Sequence, residues 1–486
     1  MTRAPRRHAA LFAALQFAAS PAFAQTLQER VEARLAEVGP GPRFGLVVAD
    51  ADGRELVAIQ PDTRFVPASN TKMLVTAAAF AAIVDVHAPD AEGGAAVRLE
   101  ENGAGAPDVV LVGNGDARLS GAADCVSNCL AALADAVASR TRTVNHVVGD
   151  DSLLPDERWS LGMSWNNIQS RYGTAISALT LDDNEFALRV LPGAPGDPPR
   201  LDFLPYYEID NRARTVAGGE TRLVADRMPG SLRVRLTGTI RADAAPQTLQ
   251  LGIDDPAHHA AWRLRNLLAE RGVRVGGEVM VRHRPLGPAD DPARRGAAPP
   301  PRPPRPEPLA RLTPPPLAED LARINKASQN VHSELMLRRV GLLRGSGSTA
   351  DGIVAVAAMM EDAGVPRASW DISDGSGMST YNRLAPRGVV RLLRWIEGQP
   401  WGEQWRATLP VAGVDGTLAR RFRGTPLEGR LFAKTGTLNA TFALSGYMTA
   451  RSGRILAFSA FANDVPEGGA ATAALDEALI LIAEAN

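Results

Sequence analysis

A chain of 486 residues in which 45% of side chains are hydrophobic has room for two or three domains with real cores. Its formal net charge of −1 removes any electrostatic case for nucleic acid or an anionic membrane surface as partner. Past the first two dozen residues, no stretch holds the roughly 18 uninterrupted apolar residues of a transmembrane helix, so no spanning segment is expected.

In chain order, Arg3, Arg6 and Arg7 precede an apolar run over 9–19 and then Ala22-Phe23-Ala24. That pattern reads 1–24 as a secretory signal peptide and predicts export to the periplasm. Leu27, Val31, Leu35 and Val38 form one stripe of a helix over 27–38. Strands over 44–49 and 55–59 flank the turn signal Asp50-Ala51-Asp52-Gly53 and predict a hairpin. Phe65-Val66-Pro67-Ala68 leads into an alanine-rich helix that begins near Ser69 and runs to about Val84.

From His87 the pattern changes to short strands and Gly/Asp/Asn turns, with strands over 96–100 and 108–112 and a helix over about 125–139. Cys125 and Cys129, the only cysteines, leave two readings open: a disulfide across a turn, or unpaired thiols on one helix face. A strand ending in Gly149-Asp150-Asp151-Ser152 follows, then strands over 180–189, 221–224 and 231–237, a helix over 260–271 and a strand over 279–282. The seven histidines are scattered without ligand spacing, so neither metal nor cofactor is expected, and His258-His259 reads as a solvated helix start. The ten prolines of 285–308 predict an exposed linker. Helices over 316–325, 328–340, 349–363 and 386–397, strands over 430–434, 443–449 and 454–461, and a helix over 470–485 complete the chain. Terminal helices with late antiparallel strands predict an α/β sandwich, and the middle reads as an insertion.

Chemistry concentrates at three short motifs. Ser69 and Lys72 are three apart at a helix start and share a face, so the amine can serve as base for the hydroxyl when burial keeps it neutral part of the time. The chain has only three lysines, Lys72, Lys326 and Lys434, against 50 arginines. Arginine is always charged and its fork is broad, so the surviving lysines mark places where a compact or deprotonatable amine is needed. Lys326 precedes Ser328 and Asn330, a hydroxyl and an amide able to reach one pocket. Lys434-Thr435-Gly436-Thr437 lies on an expected strand, where Lys434 and Gly436 face one side and Thr435 and Thr437 the other. A glycine there lets another backbone lie close, as in added-strand recognition.

In order, S-x-x-K, S-x-N and K-T-G resemble the triple signature of penicillin-binding proteins and serine β-lactamases. Class A β-lactamases set these motifs close together, whereas 259 positions separate Ser69 from Ser328 here, and no E-x-x-L-N element supplies a deacylating glutamate. The chain resembles instead the class C low-molecular-mass penicillin-binding proteins, the D-alanyl-D-alanine carboxypeptidase/endopeptidase family. The likeness extends through Gly113–Asp116, Gly149-Asp150-Asp151-Ser152, Ser177-Ala178-Leu179 with Asp183-Asn184, Asp374-Gly375-Ser376-Gly377, 413–418 and Ser445-Gly446-Tyr447.

That resemblance implies an α/β (α+β) fold: a β-lactamase-like transpeptidase domain, its antiparallel sheet packed by helices, split by a large, mainly β insertion of two nested domains. It assigns 25–87 and 309–486 to the split domain and 88–308 to the insertion, with a sub-insert at about 185–245. It implies Ser69 as nucleophile, Lys72 as base and Ser328 as proton carrier to the leaving amine, with Asn330, Lys434, Thr435, Gly436 and Thr437 binding substrate. The N–H groups of Ser69 and Thr437 would form the oxyanion hole. Peptidoglycan stem peptides are the implied substrates and β-lactams covalent inhibitors. The alternatives are a β-lactamase and a non-catalytic peptidoglycan-binding scaffold. Lys326 is open between a helix-end cation and a pocket residue, 374–377 reads as a structural loop, and Asp183 and Asp415 as loop carboxylates.

Two departures from the family pattern stand out. Trp165-Asn166-Asn167 occupies a place where relatives often carry Trp-Asp-Asp, and Thr380 follows Met378-Ser379 where they often have arginine, leaving Arg383 as a replacement cation. Loss of an anion at Asn166 and a cation at Thr380 predicts weaker recognition of a zwitterionic third residue in the stem peptide.

Overall fold

A strand buried along both faces needs helices on both sides, and six of the seven residues of Arg43–Ala49 are buried. In the computed structural model, which describes residues 1, 25–103, 105–296 and 306–486, this strand lies inside a five-stranded antiparallel sheet. The order is Leu431–Leu438, Thr441–Thr449, Ile455–Asn463, Arg43–Ala49, Glu55–Ile59. Alternation sorts its side chains between two cores. Phe44, Leu46 and Val48 meet Val31 and Leu35 of the helix Leu27–Ala36 and Leu475, Leu479 and Ile482 of the helix Ala471–Ala485. Val47 and Ala49 meet Met73 and Leu74 of the helix Thr71–Ala82 and Leu392 and Leu393 of the helix Pro386–Glu397. The expected sandwich with both terminal helices on one sheet face is therefore the observed architecture.

Between the two halves of that sheet the chain builds a second one, in the order Val279–Arg284, Val147–Pro155, Asp108–Val112, Ala96–Glu100, Ala310–Arg311, with two parallel and two antiparallel pairings. The helices Leu130–Arg140 and Pro256–Glu270 cover it. Its edge strand Ala310–Arg311 lies beyond 308, so the chain leaves this sheet only after the proline-rich stretch. Strands between Glu185 and Gly252 form two smaller sheets around Phe186, Tyr207, Val234 and Leu236. No helix among the described residues is long and apolar enough to cross a membrane.

Local expectations differ from the structure at several places. The helix expected over 125–139 is Leu130–Arg140, because Cys125 and Cys129 are disulfide-bonded with Cα atoms 5.8 Å apart and Cys129 is extended. The strand expected over 180–189 opens instead with the turn Asp182–Asn184, all three residues at positive φ, before Glu185–Leu191. The helix expected over 260–271 starts at Pro256, where Asp255 caps the His258 amide. His259 is not solvated but buried against Tyr206 and Trp262, and His258 bonds the Tyr206 hydroxyl. The first part of the expected exposed linker is docked: Asp290 is buried and Arg295 pairs with Asp351 of the helix Thr349–Asp362 at 2.6 Å. The proline-rich middle, 297–305, and all of the expected signal peptide except Met1 lie outside the described residues.

Leu479 is fully buried where the last helix meets the sheet. Leu479→Ala is expected to lower the unfolding free energy by about 2–5 kcal/mol, the loss of transfer energy plus a cavity, measured by urea denaturation.

Candidate active site

The chain reaches Ser69, the expected nucleophile, through a short extended stretch pinned on both sides. Phe65 exchanges two backbone hydrogen bonds with Leu384, and the Val66 amide donates to Asn463 Oδ1 at 2.7 Å. Ala68 then turns through the left-handed region at φ +47°, a conformation that costs a non-glycine residue of order 1–3 kcal/mol. This turn delivers Ser69 half-exposed at the start of the helix Thr71–Ala82.

Lys72, fully buried on the next turn, places Nζ 3.0 Å from Ser69 Oγ and donates to Asn330 Oδ1 at 2.7 Å and to the Ser376 carbonyl. The helix expected from 328 starts two residues later, as Asn330–Leu342, while Ser328 stands before it in a loop at φ +59°. From there Ser328 Oγ accepts from Lys434 Nζ at 2.9 Å, and Asn330 Nδ2 donates to the Tyr172 carbonyl of the inserted segment at 2.7 Å. Lys434 is also fully buried and donates to its neighbour's carbonyl, that of Thr435. Asn70, between the two catalytic-motif residues, donates to the Lys434 carbonyl at 2.9 Å and ties the first motif to the third.

The strand alternation expected for Leu431–Leu438 is observed: Lys434 and Gly436 are buried, Thr435 is half-buried and Thr437 exposed. Gly436 has a further reason to be glycine. A Cβ there would lie 2.6 Å from the Pro67 carbonyl oxygen and 3.2 Å from the Ser69 nitrogen, so this strand lies directly against the nucleophile turn. Thr435 Oγ1 is 2.7 Å from Thr417 Oγ1, and beside it a cavity of about 330 Å³ is lined by Arg421, Thr437 and Thr472.

The 374–377 loop is more than a neighbouring turn. Its Ser376 carbonyl receives the Lys72 amine, and a Cβ on Gly377 (φ +87°) would lie 2.0 Å from the Ala68 carbonyl oxygen. Asp374, buried, shapes the loop by accepting from the amides of Gly377 and Ser379 and from Asn382. Glu334 accepts from the amides of Gly375 and Ser376 at 3.0 and 2.8 Å and from Arg338 at 3.1 Å. Sequence reasoning passed over Glu334, although its place four residues after Asn330 puts both on one helix face. Burial drives the Lys72 amine down from its usual range to about 7, with Asp374 and Glu334 pulling in the opposite direction. Burial, reinforced by the nearby Lys72, holds Lys434 well below the ordinary lysine range.

The third lysine has a different task. Lys326 forms an ion pair with Asp415 and donates to the Leu409 carbonyl at 3.1 Å, closing the 409–415 turn against its helix. Asn166 and Thr380, the two departures from the family pattern, are exposed and lie on touching segments. The Thr380 amide and hydroxyl both donate to the Gly162 carbonyl, at 3.0 and 2.9 Å, while Asn166 Oδ1 accepts from Ser164. Arg383 donates to the Thr380 carbonyl at 2.6 Å, which sets a cation beside that segment.

Residues 27–484 match the family described as D-Ala-D-Ala carboxypeptidase 3 (S13). The chain belongs to this family. It is 35% identical to the D-alanyl-D-alanine carboxypeptidase of Actinomadura sp. (strain R39), an alignment covering 96% of this chain and 87% of that protein. In fold it is similar to penicillin binding protein 4 of Haemophilus influenzae, with a TM-score of 0.77 at 21% identity over 92% of this chain and 98% of the other. The structure of that protein complexed with a novel β-lactam superposes with a TM-score of 0.71 at 20% identity, over 93% and 98% of the two chains. The S13 carboxypeptidase family thus accounts for nearly the whole chain, the second sheet included.

Because Gly436 abuts the Pro67–Ser69 backbone, Gly436→Ala must push the strand or the nucleophile turn aside. Acylation by a fluorescent penicillin is expected to fall about 100-fold, the usual consequence of a 1 Å misplacement at a reacting centre, in a protein whose circular dichroism is unchanged.

Proposed function

We propose that this chain is a penicillin-sensitive serine D-alanyl-D-alanine carboxypeptidase/endopeptidase of peptidoglycan stem peptides, exported to the periplasm. The observation that carries this reading is the buried Lys72 amine, 3.0 Å from Ser69 Oγ and lowered to about 7. Neutral Lys72 takes the Ser69 proton as Oγ attacks the carbonyl between the two terminal D-alanines. The oxyanion forms beside the Ser69 amide and the Gly436–Thr437 backbone, where preorganised N–H donors contribute on the order of 3–4 kcal/mol each in acyl-transfer enzymes. The proton passes by way of Ser328 to the departing amine, the C–N bond breaks, and an ester to Ser69 remains. Water, activated by Lys72 once it is neutral again, hydrolyses the ester and restores the serine.

Lys434 recognises the substrate's terminal carboxylate. Burial disfavours its charge in the free site, so an arriving anion both pairs with the ammonium and favours its protonation. Thr435 and Thr437 add hydroxyl donors on the outer side of the same strand. A scaffold would have no use for a base held near neutrality. The signal-like leader and the family's membership together support action at the cell wall.

Labelling with a fluorescent penicillin, wild type against Ser69→Ala, tests the reading. Wild type is expected to carry a long-lived label and the variant none. A short-lived label with rapid penicillin turnover indicates a β-lactamase, and an unlabelled wild type a scaffold.

The acylation rate is expected to rise about tenfold per pH unit below pH 7 and to level off above it, as Lys72 gives up its proton near 7. Glu334→Gln removes one of the two carboxylates that hold that proton, so the rising limb is expected to move to lower pH in stopped-flow acylation.

We also propose that Asn166 and Thr380 weaken selection of a zwitterionic third residue. Hydrolysis of diaminopimelate- and lysine-containing peptides is expected at comparable kcat/KM; a strong preference for the former overturns this assignment.

A further inference from the structure

His332 is a fully buried side chain two residues after Asn330, and no step above uses it. Its Nε2 lies 2.8 Å from Asp183 Oδ1 and its Nδ1 3.1 Å from Asp320 Oδ1. Ionised carboxylates only accept hydrogen bonds, and a neutral imidazole has one N–H to give. Two carboxylate contacts, one at each ring nitrogen, therefore call for a proton on both.

The two carboxylates come from different parts of the chain. Asp320 belongs to the helix Leu317–Lys326, and Asp183 to the Asp182–Asn184 turn of the insertion, itself at φ +57°. The second oxygen of Asp183 accepts from Gln329 Nε2 at 3.1 Å and from Arg323. Asp183 thus grips the residue before Asn330 and, through His332, the residue two after it. Immediately before that span stands the left-handed Ser328, whose hydroxyl meets Lys434, and within it Asn330, which meets Lys72.

We propose that His332 is a positioning residue: an imidazolium that locks the Ser328–Asn330 loop between Asp183 of the insertion and Asp320 of the preceding helix, and so sets the distances to both catalytic-site lysines. A leucine at this helix position would fill the space as well. A buried cation between two anions instead specifies one geometry, at the risk of a severe penalty if any partner is lost.

The charges facing this cluster are few. Arg323 lies on the outer side of Asp183, and Arg118 Nη1 is 3.7 Å from the Asp320 oxygen that the ring uses. Asp116 lies near Asp320, and Glu185, near Asp183, is paired with Arg171 at 3.0 Å. Burial pushes the imidazolium toward losing its proton, but the bonds to Asp183 and Asp320 outweigh it and hold the group above its ordinary 6.5. In a group raised in this way the contact is complete below pH 6.5 and is lost as pH climbs through the raised value. Deprotonation would set a nitrogen lone pair against a carboxylate and release one side of the clamp. The loop loosens on the alkaline side, opposite to the Lys72 limb.

The activity readout rests on the function proposed above; two structural readouts do not. With the full mature chain, the His332 ring signals are followed by NMR against pH, assigned with His332→Gln, alongside amide hydrogen exchange over 328–331. Penicillin acylation is measured from pH 5 to 10 for wild type, His332→Gln and Asp320→Asn. The ring is expected to stay doubly protonated past pH 6.5, and exchange to quicken as it titrates. His332→Gln, which can serve only one carboxylate, is expected to lose about tenfold or more in acylation rate while still labelling to completion. Asp320→Asn keeps a partner but removes a charge, so its alkaline limb should move toward neutrality, a displacement that mere loss of stability would not produce. A ring that titrates at or below 6.5, or variants that acylate within twofold of wild type across the range, overturns the proposal. A wild type that penicillin does not label overturns the enzyme reading instead, and ring titration with exchange still decides the role of His332.

Discussion

Two ammonium groups cannot be buried side by side without consequence, and the site is built around that constraint. Lys72 and Lys434 are both fully removed from solvent, and the effective penalty for burying an ion is several kcal/mol. The protein does not neutralise them with carboxylates in direct contact. It surrounds them with neutral acceptors: the hydroxyls of Ser69 and Ser328, the Asn330 amide, and the carbonyls of Ser376 and Thr435. With no carboxylate in contact, burial lowers the proton affinity of both amines, and the buried Asp374 and Glu334, one step away, only partly restore that of Lys72. The base and the latent cation of the proposed mechanism both rest on this arrangement.

Such acceptors are useful only when fixed, and four separate stretches of chain fix them. The nucleophile turn is strained at Ala68 and pressed between Gly377 on one side and Gly436 on the other. The Ser328 loop is strained as well, and its supports reach into the insertion, through Tyr172 to Asn330 and through Asp183 to Gln329 and His332. The segment between the two halves of the first sheet is thus joined to the motif residues by hydrogen bonds as well as by chain connectivity. Energy stored in two left-handed residues is offset by bonds distributed across nearly 400 residues of sequence.

Much of this was legible in the sequence, for reasons of local chemistry. The hairpin, the terminal helices and the late strands are amphipathic at the right period, so their hydrophobic alternation revealed them. The three motifs were legible because lysine is so rare in an arginine-rich chain. The pairing of Cys125 with Cys129 stayed open because four residues suit both a helical turn and a disulfide loop, and only the extended Cys129 decides between them. The turn at Asp182–Asn184 was hidden within a β-like run because a strand signal carries no information about positive φ at aspartate. His259 was misread because solvent exposure depends on Tyr206, over fifty residues away.

By itself, then, the sequence determined which three motifs to look for and where the long regular elements run, since both depend on residue type and short spacings. Tertiary structure decided the rest. Lys326 turned from a possible pocket residue into the partner of Asp415, the 374–377 loop became a wall of the site, and Glu334 and His332 gained roles that no motif announced. The physical reason is common to all four. The charge state and position of a buried group are set by neighbours brought from distant stretches of chain, and the distances between those neighbours exist only once the chain has folded.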